Sequence, residues 1–187
     1  MRKILEAAKN VFCNKGFLAV TMQDIIDECG ISRGGIYIYF SSVDEVFLEL
    51  MKQRNNERFC SINKSVQEHE AFEIVLERYM SKQKERLANF KNSLFRAYCE
   101  YIFSKPTAAV HAFRDTQLIQ LRSSVEAILN LGVSQGVLKK NRVPQLAIHI
   151  IATIDGLSIL ALGGAITEEI INEQFAILDD MIKKGDK

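Results

Sequence analysis

The sequence predicts an all-α protein of about nine helices. Apolar residues recur at helical spacing along almost the whole chain, whereas the alternation typical of strands is rare. Only two prolines occur in 187 residues, so few positions forbid a helix. Several apolar stretches also begin just after Ser or Thr, whose side-chain oxygens can cap the first turn of a helix.

The first two helices are marked by their ends. Ile4 and Ala8 belong to one apolar stripe at helical spacing, and Gly16 is expected to end this first helix. Thr21, followed three residues later by an aspartate, predicts the capped start of a second helix. Gly30 is expected to end that helix, because glycine readily leaves the helical conformation.

Two serines predict the next helices. Ser32 is expected to cap a short third helix, and Ser42 with Glu45 forms an S-x-x-E capping box for a fourth. This fourth helix, at about 42–62, links an N-terminal module to the rest of the chain. A conformational change in one part of the protein would be transmitted to the other part through this helix.

The C-terminal part is expected to contain longer helices. Pro106 separates two of them, and Thr167 caps the last one. The predicted helices lie at about 70–87, 91–104, 107–135, 144–162 and 168–184. The sequence therefore predicts a three-helix module at residues 1–48 and a larger helical domain at residues 49–187.

The stretch TMQDIIDECGISRGGIYIYF, residues 21–40, describes two short helices joined by a tight turn, which is a helix-turn-helix. Inward-facing Ile36 leaves Gly34 and Ile38 on an outer face that has no acidic residue. There the glycines would let the backbone approach DNA, Arg33 and the tyrosines would contact phosphate, and Ile38 would pack on a thymine methyl group. Alternatively, the glycines ease a helix crossing and the tyrosines are core residues.

Roughly the first 50 residues resemble the DNA-binding domain of the tetracycline-repressor (TetR) family of bacterial transcription regulators. The matching pieces are ILEAA..VF...GF, T...I...CGISRGGIY.YF and the following S..E.F. The resemblance implies phosphate contacts at the start of the second helix and groove contacts from the third. The DNA-binding residues it implies, with Ile38 added from the argument above, are Thr21, Met22, Ser32, Arg33, Gly34, Gly35, Tyr37, Ile38 and Tyr39.

Three features depart from the family pattern. Val43 stands where a lysine usually grips phosphate, Ile26 replaces a small residue, and the basic N-terminal arm is reduced to Arg2 and Lys3. Residues 1–54 hold seven Lys or Arg and seven Asp or Glu, so this part has no net charge. We therefore expect weak non-specific DNA affinity, a shallow salt dependence, and binding that relies on a dimer engaging two half-sites.

The middle helices carry many aromatic residues with polar companions such as Arg96 and Glu100. This pattern suits a pocket for a small hydrophobic or amphipathic effector, although the aromatics could equally be ordinary core residues. Cys99, set among them, is also a candidate for an oxidant-sensitive thiol. The candidate effector-binding residues are Tyr79, Phe95, Tyr98, Cys99, Phe103, His111 and Phe113.

The helices at 145–162 and 168–184 are apolar enough to pack both inward and against a second copy of the chain. Gly156 and Ala161 permit a close helix approach, and the TetR resemblance implies that the last two long helices form a homodimer. Alternatively, both helices only complete the core of one chain. The candidate dimer-interface residues are Ile151, Ile154, Leu157, Phe175, Leu178 and Ile182.

Other classes of protein are not supported. There is no hydrolase, P-loop, zinc-protease or dinucleotide motif, so we expect neither an enzyme nor a cofactor. A metal site is not expected, because His149 and Asp155 are six residues apart and lie on different helix faces. Residues 146–166 are long enough to cross a membrane, but their polar residues favour a buried helix. Widely spaced cysteines and the lack of an apolar leader predict a cytoplasmic protein.

The sequence therefore predicts a homodimeric, DNA-binding transcription regulator. It is expected to repress from a palindromic operator on double-stranded DNA and to be released by a small, largely hydrophobic effector. The rival hypothesis is a helical ligand-binding or interaction protein without a DNA function. Such a protein would tolerate changes of Arg33 and Tyr37.

Overall fold

The computed structural model describes residues 1–90, 93–105 and 107–184. Within these residues the protein has nine α-helices, a short 3-10 helix at Lys140–Arg142, and no strand, so the all-α prediction is confirmed. The helices are α1 Arg2–Lys15, α2 Met22–Cys29, α3 Arg33–Tyr37, α4 Val43–Gln67, α5 Phe72–Ala88, α6 Phe95–Ser104, α7 Ala108–Ser134, α8 Val143–Leu162 and α9 Glu168–Lys184. Pro106 and the first residues of the helix predicted at 91–104 lie outside the described residues.

Side-chain caps set the starts of the N-terminal helices, as predicted. The Oγ1 of Thr21 accepts a hydrogen bond from the N–H of Asp24 at 3.2 Å, and the Asp24 carboxylate accepts from the N–H of Thr21 at 2.9 Å. This reciprocal pair is the capping box of α2. Ser32 and Ser42 accept in the same way from backbone N–H groups three residues ahead, and so cap α3 and α4.

The chain forms two compact units. Unit 1 comprises Met1–Asn56 with Lys91–Asp115, and unit 2 comprises Glu57–Phe90 with Thr116–Lys187. The two longest helices, α4 and α7, therefore contribute residues to both units, whereas α6 belongs to unit 1. The functional division into residues 1–48 and 49–187 stays a prediction.

Unit 1 has an aromatic core in which α6 packs with the N-terminal helices. The Phe12 and Phe47 rings meet edge to face with centroids 5.0 Å apart, and Phe17 lies 5.2 Å from Phe47. Tyr101 of α6 completes the group, with its ring 4.8 Å from that of Phe17. Because all four side chains are buried, α6 is part of the core that supports the helix-turn-helix.

Unit 2 has a mainly aliphatic core built from α5, α8, α9 and the unit 2 part of α7. Phe72 and Phe175 are its buried phenylalanines, and isoleucine, leucine and valine supply most of the rest. Among the described residues, the segment Lys140–Leu162 is long and apolar enough to cross a membrane. That is weak evidence for a membrane span, because core helices of soluble proteins have the same length and composition.

Candidate nucleic-acid interface

The turn between α2 and α3 is built on Gly30. Its φ of 65° and ψ of 37° are left-handed, a conformation that glycine adopts without strain, and its N–H donates to the carbonyl of Ile26. Ile25 and Ile36 are fully buried, so both helices are anchored on the unit 1 core. These anchors and the tight turn confirm the helix-turn-helix that the sequence predicts.

The outward side of α3 and the two residues after it form a surface that we call the recognition surface; it consists of Arg33, Gly34, Tyr37, Ile38 and Tyr39. The exposed fractions of Tyr37, Ile38 and Tyr39 are 42%, 79% and 55%. The Arg33 guanidinium lies 5.8 Å from the centre of the Tyr37 ring, close enough for a cation–π contact. The two tyrosines are therefore surface residues, contrary to the alternative that they fill the core.

The two glycines of α3 differ in their surroundings. A Cβ added at Gly34 would meet no other atom within 4 Å, so this position is open to solvent. A Cβ at Gly35 would lie 3.2 Å from the Oγ of Ser32, which accepts a hydrogen bond from the Gly35 N–H at 3.1 Å. Gly35 therefore makes room for the helix cap, and only Gly34 presents bare backbone at the recognition surface.

At the start of α2, Thr21 is exposed and Met22 is half-buried against the unit 1 core. The Thr21 hydroxyl is engaged within the cap, because it accepts from the Asp24 N–H and also donates to the Asp24 carboxylate. Val43, at the position where the family has a lysine, is half-buried against the same core. The start of α2 therefore lies at the surface, with the Lys15 ammonium beside its cap.

The acidic residue of the α2 capping box, Asp24, is paired with a lysine. Asp24 forms a 2.7 Å ion pair with Lys15. This hydrogen bond from Lys15, together with those from the Thr21 backbone N–H and hydroxyl, lowers the pKa of Asp24 to about 2. The Asp24 charge therefore serves the cap of α2 and the ion pair with Lys15.

The structure places most of the predicted effector residues in unit 1, on α6 and the first turns of α7. The rings of Phe95 and Tyr98 have centroids 6.3 Å apart, and Tyr98 lies 6.3 Å from Phe113. His111 is exposed. The three aromatic residues therefore form one half-buried cluster, whereas His111 is on the surface.

A shallow pocket is formed by α6 and Leu18. It has a volume of about 380 Å³ and is lined by Leu18, Cys99, Glu100, Phe103 and Ser104. Two of the predicted effector residues are among its walls, and Phe103 is 76% exposed. The pocket is open to solvent, and its accessible surface is almost entirely apolar.

Tyr79, the remaining predicted effector residue, belongs to the buried core of unit 2. Burial raises the pKa of its hydroxyl to about 12, against the smaller opposite effects of Arg58 and Arg86. Arg86 also donates a 3.0 Å hydrogen bond to the fully buried Ser158 of α8. Tyr79 therefore lies beside charged groups inside unit 2, in a different unit from the other six candidates.

The six predicted dimer residues all pack inward. Ile151, Ile154 and Leu157 of α8, like Phe175, Leu178 and Ile182 of α9, are at most 4% exposed within a single chain. The placement of the predicted interface on these side chains therefore needs correction. The large apolar side chains that α8 and α9 expose, which we call the aliphatic surface, are Ile148, Ile159, Leu160, Leu162, Ile177 and Met181.

One residue has a contact that the sequence did not predict. Glu100, placed by its sequence context among the polar groups of an effector pocket, accepts hydrogen bonds from the N–H groups of Phe17 and Leu18. These residues are more than 80 positions away in sequence, and no local pattern points to such a pair.

In the part of the chain that the structure describes, no group of three His, Cys, Asp or Glu side chains could hold a metal ion.

Comparison with known proteins matches residues 4–50 to the family model of the bacterial regulatory proteins of the tetR family. The HTH-type transcriptional regulator YfiR of Bacillus subtilis (strain 168) is 38% identical over 100 residues, which are 54% of this chain and 48% of YfiR. An HTH-type transcriptional regulator in the lacX 3'region of Lactococcus lactis subsp. lactis is 28% identical over 99% of this chain and 94% of its own. The chain spans about half or less of the length of the Bacillus subtilis relatives that it matches.

Solved structures share the fold over almost the whole chain. The transcriptional regulator FadR from Bacillus subtilis, in complex with stearoyl-CoA, has a TM-score of 0.72 at 18% identity and covers 100% of this chain and 99% of its own. A regulator from Saccharomonospora viridis, in complex with choline, has a TM-score of 0.75 at 21% identity, with 98% and 95% covered. At these identities the likeness shows the fold alone.

Proposed function

We propose that the chain, whose residues 4–50 match the model of the tetR family of bacterial regulatory proteins, is a cytoplasmic transcription regulator of that family that binds double-stranded DNA. The observation that carries this proposal is the recognition surface. Its cation, two phenolic hydroxyls and bare backbone at Gly34 project from a capped, anchored helix, and no acidic residue lies within residues 31–40. Such a surface suits phosphate contacts together with apolar contact in the major groove.

The modest charge of this region favours a homodimer on an inverted-repeat operator. With equal numbers of acidic and basic residues in positions 1–54, one copy would gain little from releasing counterions from DNA. Two linked copies instead bind two half-sites at a high effective concentration. The aliphatic surface is the proposed contact between the copies, because large apolar side chains are exposed there on both α8 and α9.

A small, largely hydrophobic effector is proposed to release the protein from DNA and so to relieve repression. The half-buried cluster of Phe95, Tyr98 and Phe113 and the pocket at Cys99 and Phe103 offer apolar walls to such a molecule. Two proteins of the same fold were solved in complex with stearoyl-CoA and with choline, and the acyl chain of the first means that a ligand with an apolar part is consistent with the fold. Release requires that the effector binds the DNA-free form more tightly than the DNA-bound form.

Selection of binding sites from random duplex DNA with the purified chain tests this function. We expect an inverted repeat, and we expect Arg33→Ala to weaken binding to it by about tenfold or more, as the loss of a base or phosphate contact does. Tyr37→Phe, which removes only a hydroxyl, should have a smaller effect. Arg114→Ala is the matched control, because Arg114 is an exposed arginine of unit 1 that pairs with Asp115.

Two results would contradict the proposal. One is the failure of any motif to emerge over a range of salt concentrations, both without and with added cell extract as a source of effector. The other is equal affinity of the Arg33→Ala variant and the Arg114→Ala control for the selected site. The second result would support a helical interaction protein whose DNA binding is incidental.

A further inference from the structure

We infer that Glu100 of α6 is a positioning residue for DNA binding, because it fixes the backbone turn that leads into the helix-turn-helix. This inference rests on the proposed function. The turn in question is the segment between the end of α1 and the start of α2, and all the contacts involved lie within unit 1.

The Glu100 carboxylate is fully engaged with its surroundings. Its Oε2 accepts hydrogen bonds from the N–H groups of Phe17, at 2.7 Å, and Leu18, at 3.0 Å. Its Oε1 accepts from the Nε of Arg96 on the same helix, at 2.8 Å. The side chain is 20% exposed, so most of it is shielded from water. Hydrogen bonds from two adjacent N–H groups to one charged oxygen are stronger than those to a neutral acceptor.

The charged form of Glu100 is the form that this site favours. Burial on its own would raise the pKa of the carboxyl group. The N–H groups of Leu18 and Phe17 and the guanidinium of Arg96 lower the pKa by more, so the net shift is downward. At neutral pH the turn is therefore held by a carboxylate.

Gly16 provides separate support for a built contact. This residue ends α1 with a φ of 77°, a conformation that favours glycine. A Cβ added to it would overlap the carboxylate oxygens of Glu100, closer than non-bonded atoms can approach. The glycine thus leaves the space that the carboxylate occupies, in addition to allowing the turn.

The held turn is directly joined to predicted DNA contacts. Leu18 precedes by three residues the α2 cap Thr21, which is a predicted phosphate contact. The ring of Phe17 is also held by α6, 4.8 Å from the ring of Tyr101, and the Lys105 ammonium lies 5.4 Å from its centre. Because backbone and ring are both fixed to α6, a shift of α6 would be passed to the start of α2.

The shallow pocket shares this contact. Glu100 and Leu18 are two of its walls, and Cys99 and Phe103 of α6 are two others. A molecule bound in the pocket would therefore contact α6 and Leu18, one of the two residues whose N–H groups donate to the carboxylate. Glu100 is thus placed where effector binding can change the affinity for DNA.

The test compares Glu100→Ala, Glu100→Gln and Arg96→Ala by operator affinity, thermal unfolding, and hydrogen exchange of the Phe17 and Leu18 amides. Glu100→Ala should weaken operator binding by about tenfold, because the start of α2 is then no longer held in one position before DNA binds. Glu100→Gln should lie between this variant and the natural protein, since its amide oxygen still accepts. Arg96→Ala, which leaves the carboxylate in place, should bind within about twofold of the natural protein.

Operator affinity is measured well below the unfolding temperature of every variant. Under these conditions, substitution of a residue that only stabilises the fold does not change operator affinity. Natural affinity in folded Glu100→Ala, or an equal loss in Arg96→Ala, would overturn the inference. If Glu100→Ala does not fold, Glu100→Gln decides in its place, and unchanged affinity and amide exchange in that variant would overturn it. If no operator exists, the proposed function fails and the role in DNA binding fails with it. Amide exchange then decides separately whether Glu100 holds the turn: faster exchange at Phe17 and Leu18 in the Glu100 variants but not in Arg96→Ala would show that it does, and unchanged exchange would show that it does not.

Discussion

The recognition surface and the aliphatic surface both expose large apolar side chains, yet they differ in what accompanies those side chains. On the recognition surface, Ile38 stands among two tyrosine hydroxyls, an arginine and the open backbone at Gly34. The aliphatic surface has six isoleucine, leucine and methionine side chains, four of them on α8, where Ala152, Asp155 and Gly156 are also exposed. Exposed apolar area alone therefore does not identify a partner.

The polar atoms within each surface make the distinction. A surface that meets DNA must replace water around phosphates and base edges, so it needs donors next to its apolar groups. A surface that meets a second copy of an apolar helix needs mainly close fit and few unpaired polar atoms. The predictions below separate these two roles, from the largest expected effect to the smallest.

The largest effect is expected from Ile159→Glu on the aliphatic surface. Ile159 is 51% exposed, so the new carboxylate leaves the core of one chain intact but would be buried unpaired between two copies. We expect a monomer in analytical ultracentrifugation. Operator affinity should fall by roughly a hundredfold, because the two half-sites are no longer bound by one linked molecule.

The matched control is Ile74→Glu on α5, because Ile74 is also an isoleucine of unit 2 and is 53% exposed. It should leave both the mass and the operator affinity unchanged. If both variants keep the mass of the natural protein, the aliphatic surface is not the contact between copies.

An intermediate effect is expected from Gly34→Ala on the recognition surface. The added methyl group meets no atom of the chain within 4 Å, and alanine favours a helix over glycine by about 1 kcal/mol. Stability should therefore stay the same or rise, while operator affinity falls by about tenfold because the backbone is held away from the DNA. Asn14→Ala, at an exposed position of α1, is the control for helix propensity and should leave affinity unchanged.

A Gly34→Ala variant that binds the operator as well as the natural protein would show that no close backbone approach occurs at this position. The glycine would then be explained by the fold alone. Measuring denaturant unfolding and operator affinity on the same preparations separates these two explanations.

Local patterns explain what the sequence could predict. Some features depend only on residues within four positions of each other, so the sequence predicts them and the structure confirms them. They are the caps at Thr21, Ser32 and Ser42 and the turn at Gly30. The same holds for the division of the N-terminal helices into buried and exposed faces. The outward placement of Ile38 followed from the inward placement of Ile36, two residues before it.

Features that depend on distant residues could not be predicted. α8 is apolar around most of its circumference, so its periodicity did not show which side faces the core, and the candidates chosen proved to be the inward ones. The bond between Glu100 and Phe17 joins residues 83 positions apart. Tyr79 resembles the aromatics of α6 in sequence context, but it belongs to the other unit because α5 packs with α8 and α9.

A smaller effect, on the free energy of unfolding, is expected from substituting the two glycines at the turns on either side of α2. Gly16→Ala and Gly30→Ala both put a methyl group on a backbone with positive φ, at 77° and 65°. Gly30→Ala meets no neighbour within 4 Å, so it should cost only the strain of about 1 kcal/mol. Gly16→Ala must also displace the Glu100 carboxylate, and overpacking of this kind costs roughly a further 1–3 kcal/mol.

Denaturant unfolding measures both free energies, and the double variant Gly16→Ala with Glu100→Ala isolates the clash. Removing Glu100 should make the cost of Gly16→Ala similar to that of Gly30→Ala. Equal costs for the two single variants would mean that the carboxylate moves aside easily. The turn would then not be held as firmly as its geometry indicates.

The smallest effect is expected from the pH dependence of the cap on α2. The hydrogen bond from Lys15 and those from Thr21 lower the pKa of Asp24 from 3.8 to about 2 in the folded protein. A carboxyl group whose pKa is lower when folded stabilises the protein above its unfolded pKa and loses this contribution as the pH falls through the folded value. The unfolding temperature of Asp24→Asn should therefore be lower than that of the natural protein by a constant amount above about pH 5. This difference should shrink below pH 3.8 and disappear near pH 2.

A difference that persists at pH 2 would show that hydrogen-bond geometry at Thr21, more than the charge of Asp24, holds the start of α2. The recognition surface would then be supported by a frame that, like the aliphatic surface, does not depend on charge.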